Sequence, residues 1–320
     1  MPQESCVILD DYQGVALSLA PWERIADQVT VRSVKEYIGS TDALIEEIGE
    51  ASILVVIRER TPLPRNILER LPNLRLIVTT GMRNASIDVA AANELGITVC
   101  GTSSSLAPTV ELTWALILGA ARHVVPEALR LREGGWQETL GTQLSGRMLG
   151  VIGLGRIGSE VARLGQAFHM NVQAWSPNLT AERAAAANVT LAESKAALLA
   201  TSDVVTLHLV LSPTTRGIIG VEDLSLMQPG AYLVNTSRAG LVDTAALIET
   251  LEQGGIAGAA IDVFDIEPLP KDSPLRAHPK ILATPHLGYV ADANYRTSFK
   301  EALEDVEAFL SGNPVRQIKP

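Results

Sequence analysis

Residues 148–163, MLGVIGLGRIGSEVAR, set a G-x-G-x-x-G turn between an apolar run and a run with helical spacing. Alone the pattern is weak; its flanking elements give it force. Gly153 makes the tight turn, Gly155 leaves room for the backbone to approach a pyrophosphate, and Gly158 lets the following helix pack closely on the strand. Amide donors at the helix start then face negative phosphate. Strand, helix and a further strand-like run are all in place, so the turn predicts a dinucleotide-binding βαβ unit in mid-chain.

The rest of the chain repeats the same alternation. Strand-like runs at 6–10, 29–34, 53–58, 74–80 and 97–101 precede the turn. Further runs at 148–153, 171–176, 189–192, 203–209, 231–237, 258–264 and 280–286 contain or follow it. Segments with helical spacing lie between them, closed by Gly or Pro. The strands are continuously apolar, which predicts parallel sheets covered by helices on both faces. Residues 105–124 read as one long, mostly buried helix, followed by a polar loop containing Gly134, Gly135 and Trp136. Residues 292–312 form an amphipathic helix with no strand after it, expected to pack back on the first unit. A length of 320 residues suits two domains.

Composition narrows the partners. The net charge is −10, with no long basic run, which argues against nucleic acid and against anionic membrane. An anionic substrate must therefore be gripped by local Arg or Lys. The longest apolar stretch, VELTWALILGAAR, is too short to span a bilayer. The amino-terminal residues lack a basic leader, and Cys6 and Cys100 lie in strand-like runs, as buried reduced thiols do. A cytoplasmic protein is expected, and no metal.

About twenty residues beyond the first glycine, sites for NAD place an Asp or Glu on the ribose hydroxyls. Ser176 stands there instead. Serine bonds a hydroxyl but carries no charge to repel a 2′-phosphate. The nearest cation is Arg183, beyond Pro177, Asn178, Leu179 and Thr180. Neither the NAD nor the NADP signature is complete, and the reading leans to NAD.

Three ionisable residues fall just past later strand-like runs: Arg238 in NTSRAG, Glu267 in DIEPLP and His286 in TPHLG. In open α/β sheets ligands sit at the carboxyl ends of strands. An arginine can fork onto a carboxylate. A histidine can exchange the proton that accompanies a hydride, and a carboxylate behind it favours its charged form and fixes its orientation.

The blocks GLGRIG, LHLVLSPTTRGIIG, NTSRAGLVDTAAL, AIDVFDIEPLP and ATPHLGY resemble, in order and spacing, those of the D-isomer-specific 2-hydroxyacid dehydrogenases. The resemblance covers essentially the whole chain. It implies two doubly wound parallel-sheet α/β domains: a flavodoxin-like substrate domain from 1–105 and 291–320, and a Rossmann cofactor domain, 106–290, inserted between. It also implies that an NAD(P)-dependent oxidoreductase interconverts a small 2-keto acid and the D-2-hydroxy acid. Arg238 would bind the carboxylate and carbonyl, and Glu267 would support His286 as acid/base. Nucleotide contacts would fall on Gly153, Gly155, Arg156, Ile157, Gly158, Ser176, His208, Thr236, Ser237, Asp262 and Gly288. A homodimer through the 106–122 helix and the Trp136 loop is implied as well.

There are departures. The substrate loop reads TTGMRNASID, so the Met82 and Arg83 amides remain available to a carboxylate while the Arg83 charge is an addition. IRERTPLP places Arg58 and Arg60 after the third strand, as in phosphoglycerate-type members, which would suit a phosphorylated or dicarboxylic substrate. A nucleotide-sensing corepressor of the same fold is the alternative from another functional class.

Overall fold

The computed structural model describes residues 4–320. The chain divides into two compact units, Met1–Ser105 with Val290–Pro320, and Leu106–Tyr289.

The first unit is built on strands β1 (Glu4–Ile8), β2 (Val29–Ser33), β3 (Ile53–Val56), β4 (Leu76–Thr79) and β5 (Thr98–Gly101). They pair in the order β2-β1-β3-β4-β5, all parallel. The second unit carries β6 (Met148–Ile152), β7 (Asn171–Trp175), β8 (Thr190–Leu191), β9 (Val204–Leu207), β10 (Tyr232–Asn235), β11 (Gly258–Ile261) and β12 (Ile281–Ala283). Its sheet is also all parallel, in the order β12-β11-β10-β9-β6-β7-β8. These are the two common doubly wound strand orders, the second extended by one strand. Each changes direction at a switch point, between β1 and β3 in one sheet and between β6 and β9 in the other.

The continuous apolar runs have a physical reason. Leu149, Val151, Val204 and Val234 belong to a core on one face of the second sheet, while their neighbours Ile152, Val205 and Leu233 belong to the core on the other. With both faces covered, strand side chains of either parity leave water. Truncating such a residue, Leu207 for example, which is fully buried, costs about 2–5 kcal/mol. Helix starts follow the cap chemistry in the sequence: the side chains of Ser40, Asp88, Thr180, Ser194 and Asp243 each accept an amide from the first turn that follows.

Two differences from the sequence reading have physical causes. The 105–124 segment is helical over Ala107–Ala121. Beyond it His123 enters the left-handed region at φ 51° and a second helix, Val124–Arg132, runs where a loop was expected. No residue of that helix is buried, so no packing against its own chain marks it as an element of the core. The Asp292–Leu310 helix buries Tyr295, Phe299, Leu303 and Val306 and packs on β4 and β5 of the first unit.

Candidate active site

In an all-parallel sheet the carboxyl ends of every strand lie on one edge. The glycine turn follows β6, Ser176 follows β7, His208 follows β9, Arg238 follows β10, Glu267 lies beyond β11 and His286 beyond β12. The sheet therefore brings all of them to one edge of the second unit.

The glycine turn sits at the switch point. Gly153 has φ +103°, and a Cβ there would lie 2.7 Å from the carbonyl carbon and oxygen of His208. A Cβ on Gly158 would lie 2.0 Å from the Gly153 oxygen. Both glycines are thus required by the protein's own packing. Gly155 is not: a Cβ there meets nothing within 4 Å. It caps the twelve-residue helix Arg156–Ala167 from an extended conformation, φ −90°, that other residues adopt without strain. Its absent side chain leaves open space at a positive helix end, which fits the pyrophosphate of a dinucleotide. Arg156 is exposed beside it, and Ile157 packs partly into the core beneath.

His208 forms a hydrogen-bonded pair with Thr206, Nε2 to Oγ1, at 2.9 Å, and burial pushes its pKa down to about 4, so the ring is neutral at physiological pH. The turn after β10 is bound to itself. Asn235 donates to the Arg238 carbonyl and accepts the Ser237 amide, and the Ser237 hydroxyl donates to the Leu209 carbonyl. The Thr236 hydroxyl pairs at 2.8 Å with that of Thr113, on the Ala107–Ala121 helix. The Arg238 guanidinium donates to the Ser237 carbonyl at 2.7 Å.

Glu267 and His286 meet directly: Oε2 to Nδ1 is 2.6 Å. The other Glu267 oxygen accepts the Phe264 amide at 2.9 Å. Burial pushes the Glu267 carboxyl up. The His286 hydrogen bond and charge, the Phe264 amide and the Arg238 charge outweigh it, and the pKa is lowered. An ionised carboxylate on Nδ1 makes that nitrogen the proton donor and leaves Nε2 to exchange a proton with a substrate. His286 has φ 53°. The Tyr289 ring meets the imidazole edge-on, with centroids 5.3 Å apart.

Asp262 carries this loop. It is fully buried. One oxygen accepts the Thr284 hydroxyl at 2.6 Å and the Leu287 amide at 2.8 Å, and the other accepts the Gly288 amide at 2.9 Å. Burial raises its pKa against the pull of those donors. The Gly288 carbonyl in turn accepts the Thr109 hydroxyl at 2.7 Å. The resemblance implied a nucleotide contact for Asp262; in this structure its oxygens hold the segment on either side of His286. Tyr289, Thr109 and Thr113 were not singled out from the sequence. The only local signal was the aromatic in TPHLGY.

Within the first unit, Arg58 and Arg60 follow β3 at the switch point. Arg58, at φ 53°, turns its guanidinium back to the Thr80 carbonyl, 3.2 Å away, and to Glu59 at 3.5 Å. Arg60 lies over the Tyr12 ring at 4.3 Å and donates to the Asp10 carbonyl at 2.7 Å. Met82 and Arg83 are exposed.

These features define a class: two doubly wound nucleotide-type sheets, one of them carrying a glycine fingerprint and a carboxylate–histidine pair on the same edge. The comparisons make it specific. Residues 114–288 match the family model for the NAD binding domain of D-isomer specific 2-hydroxyacid dehydrogenases. The D-3-phosphoglycerate dehydrogenase of Methanocaldococcus jannaschii is 38% identical over 85% of this chain and 52% of its own length. The glyoxylate reductase of Aeropyrum pernix is 39% identical over 77% of this chain and 76% of its own. The crystal structure of a phosphoglycerate oxidoreductase from Vibrio cholerae O395 superposes with a TM-score of 0.92 at 38% identity, covering 97% of this chain and 100% of that one. The chain belongs to the D-isomer specific 2-hydroxyacid dehydrogenase family, and 114–288 is its NAD-binding domain. It spans about half the length of the phosphoglycerate dehydrogenases it matches. Among the described residues no helix is long and apolar enough to cross a membrane.

Proposed function

We propose that this protein is an NAD(P)-dependent oxidoreductase that interconverts a small 2-keto acid and the D-2-hydroxy acid. The observation that carries the reading is the 2.6 Å contact between His286 and Glu267 on the sheet edge that also bears the glycine turn. A bound nicotinamide dinucleotide supplies or accepts the hydride. In reduction, His286 gives its Nε2 proton to the carbonyl oxygen as the hydride reaches C2; in oxidation it takes the hydroxyl proton. Glu267 fixes the tautomer and offsets the positive charge of the imidazolium. Arg238 grips the substrate carboxylate and polarises the carbonyl. The second unit, proposed as 106–290, holds the dinucleotide. The first, 1–105 with 291–320, is assigned the substrate's anionic groups, through the Met82 and Arg83 amides and Arg58.

Relatives that are named as reductases and dehydrogenases favour catalysis over nucleotide sensing. A homodimer is part of the proposal. The Val124–Arg132 helix and the segment after it expose Leu131, Trp136 and Leu140, the last two at 74% and 95%, a concentration of apolar surface that suits a second copy. A cytoplasmic site of action completes it.

The test is His286→Gln. Turnover with a panel of 2-keto acids is expected to fall by roughly 10²–10⁴-fold or more, with dinucleotide affinity unchanged. Turnover retained in that variant removes His286 from the mechanism, and no turnover by the wild type on any 2-keto acid removes the reading.

A further inference from the structure

We propose that Arg183, with Ser176 and Asn178, forms a subsite for a phosphate on the adenosine ribose. The protein would then bind 2′-phosphorylated dinucleotide at least as tightly as the unphosphorylated form. The inference rests on the dinucleotide reading above and decides which dinucleotide.

In sequence Arg183 is seven residues past Ser176 and looks remote from the ribose. Folding removes that distance. The loop after β7 turns at Ser176, where the Leu179 amide donates to the Ser176 carbonyl, and Thr180 caps the next helix. From that helix the Arg183 guanidinium reaches back: Nη1 is 3.4 Å from the Asn178 carbonyl, and Nη2 is 3.5 Å from the carbonyl of Leu154, inside the glycine fingerprint. It therefore bridges the two loops that enclose the ribose in this fold, the turn after the first strand and the end of the second.

Both contacts are long and made to neutral carbonyls, so most of the donor capacity of the guanidinium stays available. Among the described residues no carboxylate pairs with it. The one acid nearby, Glu182, lies in the first turn of that helix, where its own amide and the Thr180 hydroxyl lower its pKa. The position where an NAD site places an acid holds Ser176, whose hydroxyl can donate to phosphate. The repulsive element is absent and a forked cation stands in reach, the chemistry that accepts a phosphate and tolerates a free hydroxyl.

The experiment is direct binding, by calorimetry or fluorescence titration, of NADPH, NADH, 2′,5′-ADP and 5′-ADP to the wild type and to Arg183→Ala, Arg183→Lys and Ser176→Asp. The wild type is expected to bind NADPH as tightly as NADH or more tightly. Arg183→Ala should weaken NADPH and 2′,5′-ADP about tenfold or more, the loss of one charge-assisted contact, and NADH by less than twofold. Arg183→Lys should fall between, since it keeps the charge and loses the fork. Ser176→Asp should reject NADPH and keep NADH. If the wild type binds NADH a hundredfold more tightly than NADPH, or if Arg183→Ala weakens both nucleotides equally, the subsite is refuted while the dehydrogenase reading stands. Binding of neither nucleotide refutes both.

Discussion

Asp262→Asn isolates the device that holds His286. The carboxylate takes three donors, two on one oxygen and one on the other. An asparagine keeps the shape but can offer only one oxygen. If that oxygen serves Thr284 and Leu287, the new NH₂ faces the Gly288 amide, donor against donor, in a site without solvent. An unpaired buried donor costs about 1–3 kcal/mol, and each retained bond loses its charge assistance, about 1 kcal/mol more. Relief from burying a charge offsets part of this, as the raised pKa of Asp262 implies. The net is about 2–4 kcal/mol. For a unit the size of 106–289 that lowers Tm by roughly 5–15 °C. If the loss is local, the Leu287 and Gly288 amides should exchange hydrogen roughly 30- to 1,000-fold faster in the variant, with kcat reduced because the imidazole is no longer held. Thr284→Val, which removes one of the three bonds, should show about 1 kcal/mol of the same effect. Unchanged exchange at Leu287 and Gly288 together with an unchanged Tm would refute the idea that Asp262 anchors this loop.

Four further outcomes follow from the geometry. Gly155→Val should leave Tm within about a degree and weaken dinucleotide binding more than tenfold, whereas Gly158→Ala, whose Cβ would meet the Gly153 carbonyl at 2.0 Å, should unfold the second unit at markedly lower temperature. Arg238→Lys keeps the charge and loses the fork, so kcat/KM for a 2-keto acid should drop by about 10²-fold while nucleotide affinity holds. Asp305, fully buried behind Arg316, has its pKa raised from 3.8 to about 7 by burial. The folded state therefore keeps a proton that the unfolded chain releases, and stability should fall as pH rises from about 4 to 7, a slope that flattens in Asp305→Asn when followed by thermal unfolding. Leu131→Glu should halve the mass seen by light scattering if the exposed helix face is the dimer contact.

Much of the fold was legible because its strands are buried on both faces. Each apolar run from 6–10 to 280–286 corresponds to an observed strand. The runs overshoot at their carboxyl ends: 53–58 pairs only to Val56, 203–209 only to Leu207 and 280–286 only to Ala283. The overshoot has a cause. Ile57 and Val263 stay buried after the backbone leaves the ladder, so hydrophobicity outlasts pairing where loops peel away to form the site. The Val124–Arg132 helix escaped because it buries nothing within its own chain. Distances escaped altogether. Nothing in the string says that Asp262 reaches round to Leu287 and Gly288, or that Arg183 folds back on Leu154, because each contact joins residues about 25 to 29 apart through loop geometry.

The spacing of the strands bears on what the second unit can bind. From β12, which precedes His286, to β7, which precedes Ser176, the order β12-β11-β10-β9-β6-β7 takes five steps, about 24 Å at the usual strand separation. A small acid cannot touch both ends. A ligand that engages the fingerprint, the Ser176 loop and the neighbourhood of His286 together must be long, and it must carry phosphate between its ends, one strand from the Ser176 loop, where Gly155 leaves open space at a helix start, and a reacting group at the far end, where Glu267 holds the imidazole. That division of labour makes two measurements separable. Substitutions near Ser176 and Arg183 should move nucleotide affinity with little change in the proton-transfer step. Substitutions at His286, Glu267 or Asp262 should do the reverse. A variant set in which both quantities moved together at every position would mean that the edge does not bind one extended ligand, whatever the glycine pattern suggests.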